Sequence, residues 1–319
     1  AWQVANDLRK RQCDIVHLHN LSQFVPVIRA FNPGIKIVLH THCEWLTQLD
    51  HAMIERRLRE VDLIIGCSEY VTKKIRLAFP QVADRCQVLH NGVDVDHFCS
   101  NNGYTTKATD AKRLLFVGRV SPEKGLHILV DAFHEVARRH PQVQLEIVGP
   151  EAQPPIEFII ALSDDSRVSD LAPFYETSYL AQLQARLPAS LSNRLSFAGP
   201  VPYAHLINRY REAGMFIFPS VCHEAFGMPI IEAMACQVPV VATRSGGIPE
   251  IVEEGRTGLL VERGDAAALA DAILFLLANE DLRQTMGKAA RQRVLERFSW
   301  EHVAEDLFCK YEGILENTI

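Results

Sequence analysis

Short apolar runs alternate with longer amphipathic stretches along most of this chain. The first hundred residues hold four apolar runs, which predict strands near 14–18, 35–39, 62–66 and 86–89. Six further runs predict strands near 113–117, 143–148, 194–197, 215–218, 238–242 and 258–261. Helical patterns lie between the runs, and two of them close the chain at 282–298 and 300–316. Strands that alternate with helices are typical of parallel sheets with crossover helices, so the pattern predicts an α/β protein.

A polar stretch at 98–107 separates the two groups of predicted strands. It contains glycine and asparagine and has no hydrophobic period, which indicates a linker between two doubly wound domains. Within the second group, the segment 151–177 holds three prolines and predicts a surface insertion. Ligands of parallel sheets bind beyond the carboxyl ends of the strands, so we expect the site in a cleft between the two domains.

Charge and composition exclude several classes of protein. The 319 residues carry 33 basic and 39 acidic side chains, a net charge of −6, whereas nucleic-acid binders carry a basic surplus. No run approaches the roughly 20 apolar residues of a membrane-spanning helix. The eight cysteines form no C-x-x-C pair, and the first residues do not resemble a signal peptide. These features predict reduced thiols and a cytoplasmic protein, with peripheral attachment to the inner face of a membrane as an open alternative.

The segment 116–125 follows the first predicted strand after the linker. Gly118 allows a sharp turn, Arg119 leaves the carboxyl end of the strand, and Lys124 lies where the next helix begins. An arginine, a lysine and a helix N-terminus in one place suit a diphosphate, because each charge-assisted hydrogen bond contributes about 1.5–3 kcal/mol. The alternative is that Arg119 pairs with a nearby acid and that Lys124 is solvated.

A second segment, 223–233, follows the predicted strand near 215–218. Pro229 suits the first turn of a helix, and Gly227 before it leaves backbone N–H groups to face an anion or hydroxyls. Glu224 lies in the loop and Glu232 eight positions later on the helix, where they could accept hydrogen bonds from sugar hydroxyls and from a ribose diol. The alternatives are a solvated loop residue for Glu224 and an ordinary helix former for Glu232.

A third segment, 243–250, places two glycines directly before a helix. Gly246 and Gly247 predict a backbone nest for an anion, because consecutive N–H groups of such a turn point the same way. The alternative is a tight strand-to-helix turn with no ligand.

Histidines end two neighbouring strands of the first domain. His17 and His19 close the first predicted strand, and His40 and His42 close the second. The carboxyl ends of parallel strands share one edge of the sheet, so two strands that deliver histidines together favour a functional site over a structural one. No carboxylate or cysteine has the helical spacing of a zinc site, so no metal is expected.

Together these segments resemble retaining glycosyltransferase family 4, whose architecture is the GT-B fold, with two Rossmann-like doubly wound domains that face a cleft. The resemblance covers nearly the whole chain and lies in His42 and in the segments 14–20, 68–70, 90–94, 118–125, 224–232 and 246–250. The E-x7-E spacing of Glu224 and Glu232, after Arg119 and Lys124, is specific as an ordered set. The resemblance implies an N-terminal domain at 1–105 without the family's opening strand and Gly-rich loop, a donor domain at 106–298, and a helix at 299–319 that crosses back.

The resemblance also implies roles for individual residues. A nucleotide-diphosphate sugar, with UDP favoured, would bind the second domain through Gly118, Arg119, Lys124, Val201, Glu224, Ala225, Phe226, Gly227, Met228 and Glu232. Arg119 and Lys124 would hold the diphosphate, and two cations there remove the need for a metal or another cofactor. Glu224 would contact the donor sugar, Glu232 the ribose, and the turn at 199–201 the base. The expected catalytic residues are His42, Glu224, Arg119 and Lys124, and the expected acceptor-side residues are His19, His42 and Asn91.

The resulting prediction is a hexosyltransferase-type enzyme that moves a sugar, with retention at the anomeric carbon, to a hydroxyl of a glycan, lipid or small-molecule acceptor. The alternative is a fragment that binds nucleotide sugars without activity. A remote alternative is a glycoside hydrolase with Glu224 and Glu232 as acid and nucleophile, which leaves Arg119 and Lys124 unexplained.

Overall fold

The computed structural model describes residues 2–98 and 112–316. The chain forms two compact units: unit 1 comprises Ala1–Gly92 and Trp300–Ile319, and unit 2 comprises Val93–Ser299. The predicted linker lies outside the described residues beyond Phe98, as does the predicted boundary at residue 105. The helix at Trp300–Glu316 belongs to unit 1, so this unit is built from both ends of the chain.

Unit 1 is built on a four-stranded parallel sheet in the order β1-β2-β3-β4. The strands are β1 (Ile15–His19), β2 (Lys36–Thr41), β3 (Leu63–Gly66) and β4 (Cys86–Val88). The helices are α1 (Trp2–Arg11), α2 (Val25–Phe31), α3 (Trp45–Gln48), α4 (His51–Arg59) and α5 (Glu69–Ala78). Ser68 caps α5, because its side chain accepts a hydrogen bond from the backbone N–H of Val71, as its position in the sequence predicts.

One face of this sheet is covered by the last helix of the chain. Val38, Leu63, Ile65 and Leu89 are buried there together with Val303, which lies on Trp300–Glu316. Side chains alternate across a strand, so the apolar Val38 and the polar His40 of β2 point to this same face. The face is therefore apolar along most of its length and becomes polar where the strands end.

Unit 2 is built on a six-stranded parallel sheet in the order β10-β9-β8-β5-β6-β7. The strands are β5 (Arg113–Val117), β6 (Gln144–Val148), β7 (Leu195–Gly199), β8 (Met215–Phe218), β9 (Val240–Thr243) and β10 (Gly258–Val261). Its helices are α6 (Leu126–Arg139), α7 (Ile156–Ile159), α8 (Ser166–Ser169), α9 (Tyr179–Ala185), α10 (Tyr203–Glu212), α11 (Met228–Ala235), α12 (Ile248–Ile251), α13 (Ala266–Ala278) and α14 (Glu280–Arg297). The helix that follows, α15 (Trp300–Glu316), belongs to unit 1.

The strand order of unit 2 reverses between β5 and β8. The chain runs outward from β5 through β6 to β7, and then returns to the other side of β5 and continues through β9 to β10. Ligands of open parallel sheets bind at the carboxyl ends of the strands, beside the loops that leave the adjacent strands at such a reversal. In unit 2 those loops are 118–125 and 219–227, the segments that the sequence singles out.

The predicted α/β architecture is confirmed, with four strands in unit 1 and six in unit 2. The prediction for 151–177 is wrong in part, because Val168 and Leu171 of this segment are buried and cluster with Val221 in the loop after β8. Val168 lies on α8 and Leu171 lies two positions beyond its end, and both are buried. Among the described residues, no helix is long and apolar enough to cross a membrane.

Candidate functional site

The loops after β5 and β8 approach each other closely at the reversal of strand order. Residues Pro122–Lys124 form one 3-10 turn, and Gly125 then adopts a left-handed conformation, with φ of +71°, at the start of α6. A Cβ atom at Gly125 would lie 2.1 Å from the carbonyl oxygen of Pro219, so only glycine permits this approach. The approach places Lys124 beside the loop that carries Glu224.

Lys124 and Glu224 form a partly buried ion pair although they lie 100 positions apart. Lys124 Nζ lies 2.7 Å from Glu224 Oε1, and the two side chains are 16% and 15% exposed. The hydroxyl of Ser220 donates a second hydrogen bond to the same oxygen at 2.5 Å, and Nζ lies 5.6 Å from the ring centroid of Phe218. Each charged side chain is paired and mostly shielded from solvent, in contrast to the solvated alternatives that the sequence leaves open for Lys124 and Glu224. Ser220 completes this arrangement and has no signal in the sequence.

Arg119 lies beside this pair and is bonded to the acid four positions later. Its Nη2 atom donates to Glu123 Oε1 at 2.9 Å, and the Ser121 hydroxyl donates to the same oxygen at 2.7 Å. Glu123 is almost fully buried, whereas Arg119 is 48% exposed. The guanidinium group is therefore fixed at one edge and accessible at the other, which suits a group that binds an anionic ligand.

The two glycines at 246–247 hold the loop after β8 in place. The N–H of Gly247 donates to the carbonyl oxygen of Glu224 at 2.8 Å, and the N–H of Gly246 donates to His223 Nδ1 at 2.9 Å. A Cβ atom at Gly246 would lie 2.1 Å from the Glu224 carbonyl oxygen. The predicted anion nest is therefore wrong for these two N–H groups, because both are used within the protein.

The predicted donor-binding backbone forms the turn into α11. Gly227, with φ of +130°, precedes the helix, and Met228 and Pro229 begin it. Ala225 and Phe226 lie in the preceding loop, and the Phe226 ring is buried against Phe298 at a centroid distance of 5.8 Å. The first backbone N–H groups of an α-helix carry partial positive charge, so this turn suits hydroxyl or phosphate oxygens.

Glu232 is buried on α11 and is bonded to a tyrosine. The hydroxyl of Tyr210 donates to Glu232 Oε2 at 2.7 Å. Burial raises the pKa of the Glu232 carboxyl to about 7, and the hydrogen bond from Tyr210 opposes that shift. Glu232 is thus more than a surface helix former, and Tyr210 is a partner that the sequence reasoning missed. The predicted base-binding residue Val201 is half-buried between β7 and α10.

Four histidines form one cluster at the carboxyl ends of β1 and β2. The histidine cluster comprises His17, His19, His40 and His42, and the register of the sheet sets His19 directly opposite His40. Neighbouring rings have centroids 4.1–5.4 Å apart. His19 Nδ1 lies 2.9 Å from His42 Nε2, and His42 Nδ1 lies 3.1 Å from the side-chain oxygen of Asn91. The structure thus brings together the three residues predicted for the acceptor side.

Burial and crowding keep His17 and His40 uncharged at neutral pH. Burial and the neighbouring imidazoles lower the pKa of His40 to about 2 and that of His17 to about 4. Burial, and secondarily His19, also lowers the pKa of His42, and the hydrogen bond that His42 donates to Asn91 opposes the shift. Neutral imidazole carries one lone pair, so the rings can accept a proton, a hydrogen bond or a metal ion at neutral pH.

Comparisons with known proteins agree with this architecture. Residues 103–293, more than half of the chain, match the family model of glycosyl transferases group 1, and residues 1–97 match glycosyltransferase family 4. The D-inositol 3-phosphate glycosyltransferase of Corynebacterium jeikeium (strain K411) is 32% identical over 261 residues, which cover 79% of this chain and 58% of that protein.

Solved structures show the same fold. Sucrose-phosphate synthase (tll1590) from Thermosynechococcus elongatus superposes with a TM-score of 0.76 and 26% identity, covering 99% of this chain and 77% of that chain. Anabaena Alr3699/HepE, crystallised in complex with UDP and glucose, superposes with a TM-score of 0.75 and 24% identity, covering 97% of this chain and 80% of that chain. The chain therefore belongs to the glycosyl transferases group 1 family, and its two parallel-sheet units have the GT-B fold.

Proposed function

We propose that this protein is a retaining, hexosyltransferase-type enzyme that moves a sugar from a UDP-sugar to a hydroxyl of a glycan, lipid or small-molecule acceptor. The partly buried Lys124–Glu224 pair carries the proposal, because it sets a cation and a carboxylate side by side where the strand order reverses. The UDP and glucose complex of Anabaena Alr3699/HepE supports a nucleotide-sugar donor, and the name of the Corynebacterium relative supports glycosyl transfer.

Two cations act on the diphosphate in this proposal. Negative charge grows on the departing nucleotide diphosphate as the glycosidic bond breaks, and fixed cations stabilise that charge in the transition state. Lys124 is fixed by Glu224, and Arg119 by Glu123, so neither side chain must be ordered when the ligand binds. We assign them the charge neutralisation that a metal supplies elsewhere, so the transfer itself is proposed to need no metal.

In this proposal the carboxylates of unit 2 accept hydrogen bonds from hydroxyl groups of the nucleotide sugar. Glu224 accepts hydrogen bonds from the donor sugar, and Glu232 accepts them from the ribose diol, with Val201 next to the base. Because Glu224 Oε1 already accepts bonds from Lys124 and Ser220, it suits a fixed acceptor better than an acid that must release a proton to a leaving group. The arrangement therefore favours transfer over the glycoside hydrolase alternative.

Unit 1 supplies His42, His19 and Asn91 for the acceptor side. The oxygen of Asn91 can only accept a hydrogen bond, so His42 Nδ1 carries the proton and His42 Nε2 carries a lone pair. His19 donates to that lone pair from its Nδ1. A hydroxyl of the acceptor or of the donor sugar can replace His19 as donor to this nitrogen, which gives His42 a place at the reacting centre.

The first test is UDP binding by calorimetry, with Lys124→Ala as the variant. UDP should raise the melting temperature of the wild type, because it binds the folded state. Loss of one charge-assisted hydrogen bond should weaken binding roughly 10- to 100-fold. Lys288→Ala, a change at an exposed position on α14, is the matched control and should bind UDP as the wild type does. Equal affinity in Lys124→Ala and wild type would remove Lys124 from the diphosphate role.

The second test separates transfer from binding alone. UDP release from UDP-glucose and related UDP-sugars is measured with glycan, lipid and small-molecule hydroxyl acceptors in separate arms, and the anomeric configuration of any product is determined by NMR. Retention of configuration supports the proposal, and inversion contradicts it. Tight UDP binding with no turnover in any arm would support the binding-only alternative instead.

A further inference from the structure

The histidine cluster lies on the face of the unit 1 sheet that α15 covers. Ile15 of β1, two positions before His17, packs on the same face as the buried Val38, two positions before His40. Farther along each strand this apolar lining is replaced by imidazole rings. His40 is 5% exposed, whereas His19 lies at the surface, so the cluster runs from the interior to solvent.

Several imidazole nitrogens of this cluster are buried without a partner. Nε2 of His17 and both ring nitrogens of His40 make no hydrogen bond to any of the described residues. The backbone carbonyl of Leu89 slightly favours the charged form of His40 but does not reach hydrogen-bond geometry. Each unsatisfied buried polar group costs about 1–3 kcal/mol, so three within one small cluster call for a ligand.

Hydrogen bonds on the outer nitrogens determine which inner nitrogens carry lone pairs. Asn91 fixes the proton of His42 on Nδ1, so His42 Nε2 accepts from Nδ1 of His19, and the lone pair of His19 is on Nε2. His17 Nδ1 lies 2.5 Å from the Tyr311 hydroxyl, and with Nδ1–H as the donor its buried Nε2 also carries a lone pair. Metal-binding histidines use this same arrangement, in which the nitrogen away from the ion is held by a second group.

We propose that His17, His19 and His40 form a binding site for a divalent transition metal ion such as Zn²⁺ or Co²⁺, separate from the donor chemistry of unit 2. One ligand atom from each of the three residues lies within 4.8 Å of the others. In a tetrahedral zinc site the ligand nitrogens are about 3.4 Å apart, so small ring rotations bring the three into range. A purely imidazole donor set suits zinc, cobalt, nickel or copper rather than magnesium or calcium.

Three protein ligands leave one coordination position for water or for a hydroxyl. Because His19 also holds His42 through its other nitrogen, an ion at this site fixes the orientation of the ring that we place at the reacting centre. All three ligand residues lie in unit 1, so the metal site does not depend on the donor proposed for unit 2.

The test is titration of the full chain with Co²⁺, followed by visible absorption. A tetrahedral cobalt site absorbs strongly, whereas hydrated Co²⁺ is pale, so the proposal expects an intense band that saturates at one equivalent and is displaced by Zn²⁺. His17→Gln and His19→Gln should each abolish the band. His302→Gln changes an exposed histidine of the same unit and is the matched control, with an unaltered band. No band in the wild type, or a band that survives loss of His17, would overturn the proposal.

A variant outside the three ligands keeps the test decisive if a ligand variant does not fold. Tyr311→Phe removes only the hydroxyl that orients His17, and loss of such an outer partner lowers metal affinity roughly 10- to 100-fold while the coordination geometry stays the same. The proposal therefore expects the same cobalt band at higher Co²⁺ concentration. Wild-type affinity in Tyr311→Phe would contradict the assignment of His17 Nε2 as a ligand.

Discussion

In both units polar side chains lie at the carboxyl ends of the parallel strands. The two units differ in the partners that hold these side chains. In unit 2 the charged groups are paired: Lys124 with Glu224, and Arg119 with Glu123. In unit 1 the polar groups are imidazoles, and the pKa values of His17, His40 and His42 are lowered. Nε2 of His17 and both ring nitrogens of His40 are buried without a partner among the described residues, whereas in the unit 2 site Glu123 Oε2 is such an atom. The charged groups of unit 2 are thus held mainly by one another, and the histidine cluster of unit 1 leaves more of its buried polar atoms without a protein partner.

The difference shows how each site meets its ligand. A diphosphate that approaches Lys124 finds an anion already there, so its binding exchanges one negative partner for another or shares the cation with it. The histidine cluster offers lone pairs that no protein group occupies, so a ligand adds bonds there and replaces none. A substitution in the unit 2 site should therefore disturb several linked hydrogen bonds and ion pairs at once. A substitution in the histidine cluster should remove only the contacts of the side chain that is replaced.

The largest effect that would test this comparison is expected at Gly246. Gly246→Ala places a Cβ atom 2.1 Å from the Glu224 carbonyl oxygen at a residue with φ of +54°, so steric overlap and backbone strain should lower the free energy of unfolding by about 4 kcal/mol. Gly264→Ala is the control, because Gly264 has a similar φ of +82° but no atom lies within 4 Å of where its Cβ would be. This change should lower the free energy of unfolding by about 1 kcal/mol. Urea denaturation measures both, and equal losses would show that the loop after β8 is not held as tightly as described.

A pH-dependent effect of similar size is expected at Glu232. Below the ordinary pKa of 4.5 the carboxyl is protonated in the folded and unfolded chains alike, and between 4.5 and about 7 only the unfolded chain ionises. The wild type should therefore lose stability relative to Glu232→Gln as the pH rises through this window, on the order of 3 kcal/mol in total, with no further change above it. Melting curves from pH 4 to 8 measure the difference, and parallel curves for the two proteins would contradict the raised pKa.

A kinetic effect in unit 1 is expected from His42→Ala. If unit 1 contributes single contacts, this change should lower kcat roughly 100-fold, equivalent to about 2.7 kcal/mol, and leave the affinity for UDP within twofold of the wild type. His302→Ala, at an exposed position on α15, serves as the control and should retain wild-type kcat. The reverse pattern, weak UDP binding with unchanged kcat, would make His42 a binding residue.

The smallest effect is expected at Arg119. Its side chain is half exposed, so water screens its charge and Arg119→Ala should weaken UDP binding less than tenfold, compared with the larger loss in Lys124→Ala. Arg139→Ala, an exposed arginine on α6, should leave the affinity unchanged. If Arg119→Ala lost as much UDP affinity as Lys124→Ala, the burial of the two side chains would not determine how much each contributes to UDP binding.

Much of this fold could be predicted from the sequence because its strands are buried parallel strands. Such strands are continuous apolar runs, and β5, β8 and β10 have the predicted bounds. The buried part of 151–177 was harder to predict, because its apolar residues are interrupted by prolines and lie on or beside three short helical turns. A helix of four residues is too short to show a helical period, so the burial of Val168 and Leu171 is visible only in three dimensions.

The site was predictable in its residue types but not in its pairings. Arginine, lysine and glutamate at the ends of adjacent strands indicate an anion site, yet which acid meets which base depends on contacts between positions 100 apart. The two glycines at 246–247 show the same limit. The same sequence could form an anion-binding nest or a turn that holds the neighbouring loop, and the two differ only in whether the N–H groups donate to a ligand or to the protein. Local patterns therefore predict the groups, and tertiary contacts decide their partners.

The division of the chain between the units has a consequence for biosynthesis. A ribosome delivers residues from the N-terminus, so all of unit 2 (Val93–Ser299) emerges before α15, the helix that completes the unit 1 core through Val303 and Tyr311. The contact between His17 and Tyr311 closes a loop of 294 positions, which is slow to form until the intervening unit has folded. The histidine cluster is therefore completed only after unit 2 has been synthesised, and unit 2 can reach its folded form while unit 1 is still without its covering helix.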